Sequence, residues 1–135
     1  MPQINAYINF NGKCREGMAF YKECLGGNLN LQSVAESPMA DQWPAEFQQG
    51  ILHGELKNGP LLLLGSDMPS PEGSQKGNHV SLSLTCSSAE EMNIFFSKLS
   101  AGGQATRPPH DFFAGMIAAL TDKFGINWIL YFEKN

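Results

Sequence analysis

The feature of this chain that most constrains its fold is one local pattern that occurs twice. "INAYINF" (Ile4 to Phe10) is rich in β-forming residues and stops at Asn11-Gly12. From Cys14 the side chains Met18, Tyr21 and Leu25 recur at helical spacing until Gly26-Gly27 ends the run. Later, "HVSLSLT" alternates strictly, with Val80, Leu82 and Leu84 on one face and His79, Ser81 and Ser83 on the other. Ser88 followed by Glu91 forms a capping box, Met92, Phe95, Phe96 and Leu99 form one helical stripe, and Gly102-Gly103 closes it. Ala6 falls opposite His79, Met18 opposite Met92 and Gly26 opposite Gly102, an offset of about 73 to 76 residues.

Each half continues in the same way. "NLNLQSVAE" alternates and reads as a strand. "SPMADQWPAEFQQ" carries two prolines and no period, and reads as a long connection with a short helical turn. "GILHGELKNGPLLLLGS" is a hairpin, with Asn58-Gly59 between two apolar runs. In the second half "GQATRPPHDFF", "GMIAALTD" and "INWILYFE" supply three strands, and in the last of these Trp128, Leu130 and Phe132 should face the helix. Each half therefore reads β, α, β, β, β. The division expected is 1–66 for the first module, 67–77 for a polar Pro- and Gly-rich linker, and 78–135 for the second module. Neither half buries its sheet alone, so the fold class expected is α+β, two half-barrels with helices outside and a shared cleft within.

Composition narrows the function classes. At 135 residues with 42% hydrophobic and 16% charged residues, the chain has the make-up of one packed domain. A net charge of -4 and no basic cluster argue against nucleic acid as a partner. No apolar run approaches the roughly 20 residues of a membrane helix, and "MPQINAYINF" lacks the basic start and apolar core of an export signal. A cytoplasmic protein is expected, with no membrane partner. Cys14, Cys24 and Cys86 have no metal-ligand spacing and read as reduced thiols.

"NFNGKCREGMAFY", "PPHDFFAGM" and above all "LTDKFGINWIL" resemble the vicinal oxygen chelate superfamily, which includes glyoxalase I, extradiol dioxygenases and bleomycin-resistance proteins. Within it the chain is similar to the PhnB-like branch, whose members often carry a demethylubiquinone methyltransferase label. The resemblance covers essentially the whole chain. It implies a divalent ion held by His on the first strand of each half and Glu late in each half, with open positions for substrate oxygens. Carried over by position, the first His falls on Ala6 and the first Glu in "PLLLLG", which has no carboxylate. The second His is His79, and the last Glu falls on Ile129. One imidazole is a poor hold for a metal, so no metal and no cofactor are expected. The methyltransferase label also lacks support, because no Gly-rich turn joins a strand to a helix.

The cleft remains. Ala6, Ile8 and Phe10 from one strand, His79, Ser81 and Ser83 from another, and Asn127, Ile129 and Tyr131 from the last would make it mostly apolar with a few polar groups. His79 reads either as a core histidine, as the group that orients a ligand, or as a general base, and it is the candidate catalytic residue. Two other pairs are alternative ligand sets, His53 and Glu55, which sit two apart on a strand and could share a face, and His110-Asp111 on a loop; the preferred readings are a solvated hairpin face for the first and a turn after Pro108-Pro109 for the second. Trp43, Phe47, Phe112 and Phe113 are expected on long loops, as lids or at an interface. Two functions compete. One is a non-catalytic protein that binds or sequesters a small organic ligand in a homodimer cleft. The other is an enzyme of lyase, isomerase or dioxygenase type that uses His79 with a weakly held or substrate-borne metal.

Overall fold

The computed structural model describes residues 2–67 and 75–134, so most of the expected linker lies outside the described residues. Two compact units are present, Met1–Gln75 and Lys76–Asn135. The first runs β1 (Ala6–Asn9), α1 (Cys14–Leu25), β2 (Asn28–Ser33), β3 (Ile51–Asn58) and β4 (Leu61–Ser66), with 3-10 turns at Ala40–Gln42 and Ala45–Phe47. The second runs β5 (Leu82–Cys86), α2 (Ala89–Ser100), β6 (Gln104–Phe112), β7 (Gly115–Thr121) and β8 (Asn127–Glu133). The repeated β, α, β, β, β order is the one the sequence predicts. The sheets match in topology as well, β1-β4-β3-β2 and β5-β8-β7-β6, with the β1–β4 and β5–β8 pairs parallel and the others antiparallel.

In the first unit α1 lies on one face of its sheet through Cys14, Met18, Tyr21 and Leu25, all buried. Two glycines let it approach closely. A Cβ at Gly17 of α1 would overlap the Phe10 ring, and one at Gly65 of β4 would meet the same ring at 2.7 Å. Phe10 thus fills the gap between helix and strand. The hairpin turn differs by one residue from expectation. Asn58 still pairs with Leu61, and the turn residues are Gly59 and Pro60, with Gly59 at φ +59 in the first central position. Asn58 is thereby free to donate from Nδ2 to the Leu25 carbonyl at 2.9 Å, which satisfies one orphan carbonyl at the end of α1.

The helix starts are satisfied in two ways. Lys13, at the N-cap of α1, makes no side-chain capping bond. Asp67 supplies it instead, with Oδ1 accepting from the Gly12 and Cys14 amides at 2.8 Å each and Oδ2 from the Ile51 amide at 3.0 Å. Asp67, expected as the first linker residue, is therefore part of the first unit's hydrogen-bonded frame. Helix α2 follows the capping box: Ser88 Oγ accepts from the Glu91 amide at 3.1 Å, and the Glu91 carboxylate accepts from the Ser87 amide at 3.0 Å.

In the second unit Met92, Phe96 and Leu99 of α2 pack over Ala118, Leu120, Trp128 and Leu130, all buried. The turn between β7 and β8 closes on Asp122, which is 3% exposed. Its Oδ1 accepts from the Phe124 and Ile126 amides at 2.9 and 3.0 Å, and its Oδ2 from Trp128 Nε1 at 2.9 Å.

Two stability measurements follow. Gly17→Ala should destabilise the protein by about 1–3 kcal/mol, because the Phe10 ring has Gly65 on its other side and little room to move; an unchanged thermal midpoint would show the ring is not wedged. Asp122→Asn replaces one acceptor facing the Trp128 N–H with a donor and should cost about 1–3 kcal/mol. A urea midpoint equal to that of the unaltered chain would contradict this.

Candidate functional site

Which residues face away from the helix in each sheet follows from register, since side chains directly opposed on neighbouring strands share a face. In the second sheet Trp128 and Leu130 are buried on the α2 side, as the alternation predicts, so Ile129 and Tyr131 lie on the open face. Cross-strand partners extend this into rows. Ser83, Ile129, Ala119 and Arg107 form one row, and Thr85, Tyr131, Ile117 and His110 the next. Phe112 sits opposite Gly115 in a third row. The Phe112 and Tyr131 rings approach to 5.4 Å at 56°. The middle of this face is half-buried and apolar, and its two sides carry hydroxyls and basic groups.

Burial is the main reason that the Tyr131 phenol titrates above its ordinary range, followed by the charge of Glu133 and a hydrogen bond to it. His110 Nδ1 lies 2.8 Å from the Pro108 carbonyl. A carbonyl only accepts, so that bond needs a proton on Nδ1 and leaves Nε2 for another partner.

In the first sheet Ala6 is opposed to buried Leu63 and Ile8 to Gly65, whose Cβ position points at Phe10 and Met18. Ala6, Ile8 and Phe10 therefore face α1 rather than the open side on which the sequence reading put them. The alternate residue Tyr7 takes the open side, with its ring 6.4 Å from that of His53. Glu55 is opposed to Asn30 and Leu64 on the same side, so His53 and Glu55 do share a face.

His79 and Ser81 are exposed and precede β5, which starts at Leu82 rather than at His79. The reason lies in the neighbouring strand. Leu82 pairs with Trp128 near the start of β8, and the residues before Asn127 fold back in the Asp122 turn, so no ladder continues to hold His79. Asn127 is engaged at both ends of its amide: Oδ1 accepts from Thr121 Oγ1 at 2.9 Å, and Nδ2 donates to the Gly77 carbonyl at 2.7 Å. It ties β8 to the chain entering the unit.

The aromatic residues expected on loops divide. Phe112 ends a strand, and Phe113, 99% exposed, packs edge-on against it at 5.2 Å. Trp43 follows the first 3-10 turn, 5.7 Å from the Phe47 ring, and its Nε1 is buried without a hydrogen-bond partner among the described residues. Phe47, Val34 and Ile51 form the apolar wall of a cavity of about 370 Å³ in the first unit, with Glu46 and Asp67 on its polar side.

The divalent-ion site implied by the resemblance can be tested on these positions. The open-face residues of β1, β4, β5 and β8 include Tyr7, Leu64, Ser83, Thr85, Ile129 and Tyr131. Among the described residues no three His, Cys, Asp or Glu side chains gather closely enough to hold a metal ion. The residue set does not fit that ion.

Sequence reasoning passed over Arg107 and Tyr7, and read His110 as part of a turn. Counting alternation along "QATRPPHDF" cannot find Arg107 and His110 together, because odd spacing puts them on opposite faces of a regular strand. The register shifts between Gln104 and Arg107 and between Arg107 and His110 correct for this. Pro108-Pro109 is the visible signal of that irregularity.

Cys14, Cys24 and Cys86 are buried, and none forms a disulfide among the described residues. Burial pushes Cys14 up to about 12, with the Asp67 carboxylate adding to the rise and Arg15 opposing it. Burial, then the Glu91 charge, pushes Cys86 up to about 11. Both stay protonated near neutrality. At pH 8 both thiols are protonated and shielded, so a disulfide reagent should label the native protein far more slowly than the urea-unfolded chain. Rapid native labelling of Cys14 or Cys86, located by mass spectrometry, would contradict this burial.

Residues 3–130 match the family model described as the Glyoxalase/Bleomycin resistance protein/Dioxygenase superfamily. Protein YjdN of Escherichia coli K12 is 29% identical over 145 residues, covering 99% of this chain and 97% of the relative. The crystal structure of protein PA1353 from Pseudomonas aeruginosa is similar over 100% of both chains, at 32% identity and a TM-score of 0.86. The PhnB protein of Bacillus cereus, described as a putative 3-demethylubiquinone-9 3-methyltransferase, has 22% identity and a TM-score of 0.73, with 97% of this chain and 99% of that one covered. At that identity it speaks for the fold alone. No helix among the described residues is long and apolar enough to cross a membrane.

Proposed function

The chain belongs to the glyoxalase/bleomycin resistance/dioxygenase superfamily, and from that premise we propose that it is a homodimeric small-molecule-binding protein that holds an organic ligand on the open face of its second sheet. The observation that carries this reading is the half-buried Phe112–Tyr131 ring pair, set beside Ile117 and Ile129 and flanked by hydrogen-bonding side chains. Small-molecule sites have this composition, an apolar lining with a few placed polar groups. An aromatic pair on a sheet face offers a planar ligand a stacking partner.

The reading needs no divalent ion, and of the residues at the carried-over ligand positions Ala6, His79 and Ile129 only His79 carries a metal-binding atom. Dimerisation rests on the superfamily, whose members are often dimers that bind small molecules. The competing enzyme reading relied on His79 within a strand of the cleft. An exposed imidazole in a bend before β5 gives it less support.

Screening a metabolite library by thermal shift should yield stabilising compounds with planar or apolar bodies. Tyr131→Leu and Phe112→Leu should each weaken them several-fold, since an aromatic contact is worth about 0.5–1.5 kcal/mol. Hits indifferent to both substitutions would place binding elsewhere. A stoichiometric, tightly held ion in protein purified without chelators would sink the metal-free reading, and a monomer by light scattering at micromolar concentration would sink the dimer.

A further inference from the structure

We infer that the ligand of the second sheet's open face is a small organic anion, with an apolar or aromatic body and one carboxylate-like end that Arg107 binds; this rests on that face being the binding face.

The geometry that points to it is the path of β6. Arg107 and His110 are three residues apart and would project to opposite faces of a regular strand. Here one register shift precedes Arg107 and another follows it, so Arg107 lies opposite Ala119 and His110 opposite Ile117. Ala119 and Ile117 are themselves two apart on β7 and share the open face. The irregular strand therefore delivers two nitrogen-bearing side chains to one edge of the apolar platform. Bulges that re-aim side chains are over-represented beside functional sites, and this one sets the only guanidinium of the second unit on that face.

Charge on that face is otherwise sparse. The Arg107 side chain is exposed and makes no hydrogen bond or ion pair among the described residues. The carboxylate of Asp111, its closest acidic neighbour in sequence, is bonded to Lys134 at 2.9 Å. Glu133 lies two rows away, opposite Gly115. In the first sheet Glu55 and Lys57 stand in adjacent rows, whereas in the second Arg107 and Glu133 are two rows apart, with Glu133 beside the Tyr131 hydroxyl, so the Arg107 end of the face is the cationic one. A planar guanidinium forks onto a carboxylate through two parallel bonds, the strongest neutral-pH recognition of that group a side chain offers.

The rows also set the ligand's length. Ser83, Ile129, Ala119 and Arg107 span three strand spacings, roughly 14 Å at about 4.8 Å each. A carboxylate at Arg107 leaves the body of the molecule over Ala119, Ile117 and the Tyr131 ring, with the Ser83 and Thr85 hydroxyls beyond it.

The test uses the full-length protein with 3-phenylpropionate, its shorter and longer homologues, and the matching primary amides, read by thermal shift and titration calorimetry. At least one acid should bind and its amide should bind more weakly. Arg107→Gln should weaken the acid roughly tenfold or more and leave the amide unchanged, Arg107→Lys should keep part of the preference, and Tyr131→Leu should weaken both. Circular dichroism checks that the variants fold. Amides that bind as well as acids, or an acid indifferent to Arg107→Gln, would overturn the anion while the face itself stands if Tyr131→Leu still weakens binding. An acid that binds undiminished in both Tyr131→Leu and Phe112→Leu would remove the face and the anion together. No response to any acid of the series at millimolar concentration also overturns the proposal.

Discussion

The arrangement of the second unit depends on one buried carboxylate. Asp122 has almost no contact with solvent, and a buried charge is tolerated only where hydrogen bonds replace its water. Three N–H groups do so, two from the backbone of its own turn and one from the indole two strand positions into β8. The backbone bonds require a tight turn, in which Gly125 takes φ +87 and donates to the Asp122 carbonyl. The indole bond requires Trp128 on the helix side. With that one side chain fixed, the alternation of β8 sends Leu130 inward and Ile129 and Tyr131 outward. A slip of one residue would break the indole bond and move the apolar residues of the strand to the wrong face. The Asp-x-x-Gly turn and the side chains on the open face of β8 are therefore one constraint seen at two ends.

The first unit uses a carboxylate as well, in a different place. Asp67 follows the fourth strand and not the third, and its two oxygens, accepting three backbone bonds, hold the turn into α1 and the start of β3. The two modules thus repeat as elements without repeating their ties. Helix α2 carries its own Ser88 cap, whereas α1 borrows one from a residue 53 positions away. That borrowed cap needs the helix close to the ends of the strands. Gly17, Gly54 and Gly65 allow the approach, each leaving space that Phe10, Met18, Cys14 or Leu31 occupies. A repeat of this kind keeps the topology while freeing each half to place different side chains on its open face.

Much of this was legible in the sequence, for physical reasons that also explain the rest. Helices announced themselves by stripes and by glycines at their ends, and the alternation of β8 gave the correct faces because its Trp and Leu are large and unmistakably apolar. The same logic misplaced Ala6 and Ile8. In "INAYINF" alternation correctly groups Ile4, Ala6, Ile8 and Phe10 against Asn5, Tyr7 and Asn9, but it does not say which group meets the helix; the pairing of Ile8 with Gly65 does. His79 looked like a strand residue because strictly alternating sequence continues past the point where a partner strand exists. Arg107 was hidden by an irregular register that no count along one strand contains.

Arg107 and His110, which alternation failed to place, give the second face its basic groups. A strand built only for packing keeps its register, because each bulge leaves a residue out of the ladder and weakens the edge. Strand β6 gives up regular pairing twice and includes Pro108-Pro109, which withholds two backbone donors. In return Arg107 and His110 stand on the same side as Tyr131 and Phe112. Pairing energy alone would not select that outcome. A requirement for basic groups at the rim of an apolar platform would, and the same irregularity also makes this edge a poor template for further strands.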